Sequence, residues 1–175
     1  VDNYIYRKDT GQIDNAGSEP SKLQIANFVQ KDAELDGYEI QVGKDFDFLN
    51  GNLGVTIGRD SVNGTFTDGS NIPRMVPARN IYSATYSGAS LGAMLRLKDV
   101  EKQTRVATGG SSTDGYKMLD LTLSKAFNMD GGPSLNVSVF AKNLLDETAR
   151  NHTSFVKNEV PLPGRNYGLK FNFEI

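Results

Sequence analysis

Asn166-Tyr167-Gly168-Leu169-Lys170-Phe171-Asn172-Phe173-Glu174-Ile175 closes the chain on a strict period of two. On an extended backbone successive side chains point to opposite faces. Tyr167, Leu169, Phe171, Phe173 and Ile175 therefore share one face, and Asn166, Gly168, Lys170, Asn172 and Glu174 share the other. The same period runs back along the chain. Leu135, Val137, Val139 and Ala141 alternate with Asn136, Ser138, Phe140 and Lys142, and Leu119, Leu121 and Leu123 with Asp120, Thr122 and Ser124. Segments at Leu91–Leu97, Tyr82–Tyr86, Leu53–Ile57 and Tyr38–Phe46 repeat it. With the short opening piece Tyr4–Tyr6, the spacing predicts eight strands and no helix.

A soluble sandwich also hides one face of each strand, so the polar face has to discriminate. Here it carries Glu39, Gln41, Asp120, Thr122, Ser124, Asn136, Ser138, Lys142, Lys170, Asn172 and Glu174. Burying that many unpaired polar groups in a dry core would cost several kcal/mol each. The links between strands point the same way. Lys8 to Lys22, Ser61 to Ala78, Asp99 to Gly115 and Leu145 to Gly164 are long. The links at Leu49-Asn50-Gly51, Ser87-Gly88-Ala89 and Asn128–Pro133 are short, and the two kinds alternate. In an up-and-down meander this sorts every short turn to one end and every long loop to the other. Outer-membrane barrels have that asymmetry, with short periplasmic turns and long extracellular loops. Tyr38, Phe46, Phe48, Tyr82, Tyr86, Phe127, Tyr167 and Phe173 fall mostly near strand ends, where an interfacial aromatic girdle belongs. The expected fold is an all-β, antiparallel, up-and-down transmembrane barrel wall.

Composition removes other classes. The 175 residues contain no cysteine and one histidine, and carry a formal net charge of −2. Disulfide frameworks, thiolate metal sites and cysteine nucleophiles are excluded. Nothing in the charge calls for a nucleic-acid partner. No apolar run approaches the 20 or so residues of a membrane-spanning helix. The chain opens at Val1 inside an alternating segment, with neither an initiator methionine nor a signal peptide, and reads as a fragment of a longer protein.

Several segments resemble one family in order. Phe140-Ala141-Lys142-Asn143-Leu144-Leu145-Asp146-Glu147 is similar to the penultimate strand and "N-L-x-D" turn of TonB-dependent outer-membrane receptors. Pro163-Gly164-Arg165-Asn166-Tyr167-Gly168 resembles their last strand, and Asp2–Tyr6, Asp36–Ile40 and Ile72–Arg79 resemble a strand end, a "G-x-E" strand and a loop returning to the membrane. Ala149–Lys157 with Pro161–Arg165 is most similar to the zinc-uptake subgroup, although the chain ends in Ile175 where family members usually end in an aromatic residue. The resemblance implies that residues 1–175 are the C-terminal part, about eight strands, of a barrel of about 22 strands. It implies a plug domain and N-terminal strands that this chain lacks, and a TonB energy complex as partner. Outer-membrane lipid and lipopolysaccharide are the other partners. The cargo it implies is a scarce nutrient, zinc first, with a siderophore or haem as the nearest variant. A self-standing eight-stranded structural or adhesive barrel and a soluble β-sandwich binding module are the rival architectures.

The candidate cargo ligands lie in the last long loop: His152, Asp146, Glu147 and Glu159, since imidazole and carboxylate oxygens suit zinc. Zinc is expected as transported cargo, with no resident cofactor. Asp32, Glu34 and Asp36 alternate, which reads as the wet side of a strand extending beyond the membrane. Lys98, Lys102 and Arg105 are placed either to meet lipopolysaccharide phosphates or to solubilise a loop. Arg165 is expected to steady the loop base through carboxylate or carbonyl bonds. No enzyme constellation emerges; Ser154 beside His152 is the only nucleophile and base in proximity.

Overall fold

A computed structural model describes residues 1–14, 23–128 and 132–174. Residues 15–22 and 129–131, which belong to two of the links above, and the terminal Ile175 lie outside the described residues. The described residues form nine strands: β1 Tyr4–Asp14, β2 Leu23–Lys31, β3 Ala33–Phe48, β4 Gly51–Phe66, β5 Arg79–Gly88, β6 Leu91–Val100, β7 Tyr116–Asn128, β8 Ser134–Lys142 and β9 Asn166–Glu174. Strands β3 to β9 make one antiparallel sheet in chain order, and β1 pairs with β2 alone. Six connections within the large sheet alternate short and long, as the sequence predicts.

The opening piece departs from expectation. Tyr4–Tyr6 is part of β1, which pairs with β2 in a separate two-stranded ladder and not with the sheet. The sheet therefore has seven strands where eight were expected, and residues 8–14 of the first long link continue β1. Only Asp32 separates β2 from β3, so the hairpin stands at the end of the sheet that carries the long loops. Its alternation serves a small local core: the Tyr6 ring lies 4.6 Å from that of Phe66, and Tyr4 meets the same ring edge-on. Ala33, Phe66 and Ile72 are buried there, with Met75 packed against them.

Register fixes the two faces of the sheet. Partners directly opposite share a face. Val42, Ile57, Tyr82, Leu97 and Leu119 form one continuous row, and Phe46, Leu53, Tyr86, Ala93, Leu123, Val139 and Leu169 form another. All eight aromatics assigned to a girdle lie on this apolar face. The opposite face carries Gln41, Thr56, Ser83, Arg96, Asp120, Ser138 and Lys170. The apolar face ends abruptly toward the loops, where the row Ile40, Arg59, Asn80, Asp99 and Lys117 begins. Arg59 there bonds Tyr38 and Asn80, each at 2.9 Å, and pairs with Glu101 at 2.8 Å. Asp36 lies beyond that row toward the loops, where its carboxylate accepts from the Asn63 amide.

Among the described residues few apolar side chains are buried, and none lies between stacked sheets. Each strand of the large sheet makes its main contacts with its neighbours in the strand order. Apolar side chains on this apolar face stay open: Val42 is 68% exposed, Leu169 64% and Phe171 64%. A contiguous apolar surface of this extent is not left bare on a soluble monomer. The soluble two-layer module is thereby set aside. The sheet is open, with β3 and β9 at its edges.

Candidate functional site at the loop rim

Three long connections, 67–78, 101–115 and 143–165, meet the β1–β2 hairpin at one end of the sheet. The last of them starts with a knot. Asn143 leaves β8 with a φ of 50°, a left-handed conformation that asparagine tolerates better than most residues. Its backbone N–H donates to Asp120, and its side chain bonds Glu147 N–H at 3.0 Å, Glu147 C=O at 2.9 Å and Pro163 C=O at 3.2 Å. Both ends of the loop are thus tied to one buried amide. Asp146 completes the closure by accepting from Arg165 N–H at 2.9 Å and pairing with its guanidinium at 3.4 Å. Arg165 also reaches the Leu144 carbonyl, which is the steadying role expected for it.

His152 is buried inside the rim, only 1% exposed. Its Nδ1 lies 2.9 Å from Thr113 Oγ1, and the Lys157 ammonium stands 3.5 Å from each ring nitrogen. Lys157 donates at 2.6 Å to Ser111 C=O, and Ser111 in turn donates to Asn158. Burial, with Lys157 adding repulsion, lowers the imidazole pKa to about 4. The ring is therefore neutral at ordinary pH and fastens loop 143–165 to loop 101–115. Loop 101–115 is itself braced: Gln103 and Thr113 exchange two backbone bonds, and the Gln103 amide reaches Met75 C=O.

The four residues proposed as ligands are not brought to one point. Asp146 is engaged by Arg165, Glu147 joins the Asn143 knot through its backbone, Glu159 is exposed, and His152 faces Thr113 and Lys157. No group of three or more His, Asp or Glu side chains capable of holding a metal ion occurs among the described residues. Lys98 does not sit on the apolar side; it lies on the opposite face, over the Tyr116 ring. Lys102 pairs with Asp114, and Arg105 bonds Asn63. Ser154 Oγ accepts from Val156 N–H.

Sequence reasoning missed the rim's other feature. Phe155, 57% exposed, carries the Arg74 guanidinium 3.8 Å and the Arg7 guanidinium 4.2 Å from its ring centroid. The three residues come from loop 143–165, loop 67–78 and the hairpin, so no local pattern could place them together.

The sheet, its one-sided polarity and its sorted loops define a class of architecture, the wall of an up-and-down β-barrel. Comparison with solved structures agrees: the chain is similar to the copper transporter OprC, with a TM-score of 0.76 and 16% sequence identity over 99% of this chain. The match spans 27% of that protein's length. No protein-family model and no curated protein sequence matches the chain.

Proposed function

We propose that this chain is part of the barrel wall and loop rim of an outer-membrane metal-uptake receptor that depends on a TonB energy complex. The observation that carries the reading is the sheet itself. One face is apolar and uncovered, the other is polar, and every long connection stands at one end. In hydrocarbon every backbone polar group must be paired, so such a sheet functions only when closed into a barrel. The open edges at β3 and β9 are then the seams to the rest of the wall. The likeness to a copper transporter supports metal as the cargo class, and the family resemblance supports zinc.

In this reading, the loops receive the cargo. The energy complex then acts on a plug domain inside the lumen, and the cargo passes along the polar face. A groove of about 330 Å³ on that face, lined by Glu39, Gln41, Asp60, Ser83 and Arg96, is part of the passage or of the plug's seat. Lipid and lipopolysaccharide cover the other face. The chain's own share is structural: wall, rim and polar lining, with no catalytic step.

Radioactive zinc and copper uptake by metal-starved cells tests the reading. Deleting the full-length gene should abolish high-affinity uptake of one of the two metals, and disrupting the energy complex should do the same. Unchanged uptake of both metals in the deletion strain would refute it. His152→Ala separates cargo from scaffold. With His152 as a zinc ligand, zinc uptake alone falls; with His152 as the loop fastener, loop protection against protease falls whichever metal is supplied.

A further inference from the structure

We propose that Arg7 and Arg74, gathered about the Phe155 ring, form with Lys157 of the same loop a rim site for an oxyanion, the phosphate or carboxylate group of an arriving ligand. The two guanidiniums stack on one aromatic ring at 4.2 and 3.8 Å, which fixes their positions before anything binds. Arg74 also donates to Arg7 C=O at 3.3 Å, joining loop 67–78 to the hairpin. Lys157 is held by Ser111 C=O on the third loop. Burial is the main influence against charge on Arg74, Asp9 comes next and supports it, and Arg7 opposes it; on Lys157, burial and then Arg74 act against the charge.

Counterions are short. Arg7 pairs with Asp9 at 2.9 Å, but neither Arg74 nor Lys157 forms an ion pair with a carboxylate among the described residues. A guanidinium has five N–H donors, and one Arg74 donation, to Arg7 C=O, is seen. Such forks bind carboxylate and phosphate in bidentate fashion. Backbone strain points to the same residue. Arg74 holds a φ of 60°, a conformation that costs a non-glycine residue of order 1 kcal/mol or more and persists where the surroundings enforce it. Phe155 stands more than half exposed, and Arg7, Arg74 and Lys157 are each partly exposed, so the cluster can be reached from solvent. Concentrated positive charge would repel a bare metal cation and attract an anion. The site needs only an accessible rim and is independent of which metal, if any, is carried.

The phosphate could belong to lipopolysaccharide or to a small free anion, and calorimetry on the full-length protein in detergent separates them. Inorganic phosphate is titrated into lipopolysaccharide-free protein, and phosphorylated and dephosphorylated lipopolysaccharide into parallel samples. Saturable binding of inorganic phosphate assigns a free anion; binding confined to phosphorylated lipopolysaccharide assigns the lipid. In either case Arg74→Gln and Lys157→Gln should each weaken binding tenfold or more. Asp9→Asn, which removes the competing carboxylate, should strengthen it severalfold. That opposite sign keeps the test decisive should Arg74→Gln misfold. No saturable binding with any probe, or affinities indifferent to Lys157→Gln and Asp9→Asn, would overturn the site.

Discussion

The amide of Asn143 closes a connection of more than twenty residues with three hydrogen bonds. Asn143→Ala leaves the Glu147 N–H and the Glu147 and Pro163 carbonyls without that partner and places alanine at positive φ. The expected cost is on the order of 2–3 kcal/mol, felt in the loop and not in the wall. Limited proteolysis should cut between residues 147 and 163 much faster in the variant, while the barrel's heat-modifiable mobility on gels stays unchanged. His152 makes a second prediction, in pH. Its pKa is about 4 in the fastened loop against an ordinary 6.5. The released loop therefore binds more protons between those values, and fastening is fully favourable above about pH 6.5. It weakens as pH falls toward 4 and is flat below, by at most about 3 kcal/mol in all. Hydrogen exchange of loop 143–165 at pH 7 and pH 4.5 should show the loss, and His152→Gln should remove most of the pH dependence.

Among the elements, the β3–β4 hairpin contains a local conflict. Leu49 and Asn50 both have positive φ, 46° and 57°, as a two-residue turn of the favoured hand requires. Leucine suits that conformation poorly. Leu49→Asn should stabilise the hairpin by about 0.5–1 kcal/mol, read as a higher urea midpoint; the Tyr86 hydroxyl bond to the Leu49 carbonyl is untouched by the change. Between β8 and β9 the Phe140 ring covers Gly168, where an added Cβ would clash with the ring. Gly168→Ala should slow barrel assembly, and Phe140→Leu in the same chain should restore it. The seven strands of the sheet were legible because one apolar and one polar face impose a strict period of two. The hairpin was misread for the converse reason. Phe28 and Val29 stand side by side in β2, breaking the alternation, since this ladder is not part of the two-faced sheet. The Asn143 turn was visible as a motif, whereas Phe155, Arg7 and Arg74 are drawn together from three connections by tertiary structure alone.

For the molecule as a whole, the two faces make opposite demands on the same substitution. Leu123 and Thr122 are adjacent on β7, the first on the apolar face and the second on the polar one. Leu123→Arg should destabilise the inserted barrel by about 1–2 kcal/mol, between the midplane and interfacial costs of a cation, since Lys125 lies two residues on along the same face. Thr122→Arg should be nearly neutral; equal effects in a urea titration from lipid vesicles would mean the faces are wrongly assigned. The contact between Phe155 and Arg7 has a mechanical corollary. It ties the last loop, beside one margin of the sheet, to the hairpin feeding the other. Seven strands laid flat would hold those margins roughly 29 Å apart. A long loop and a hairpin can bridge that distance, so the contact couples the two margins through their connections and limits how far they can part.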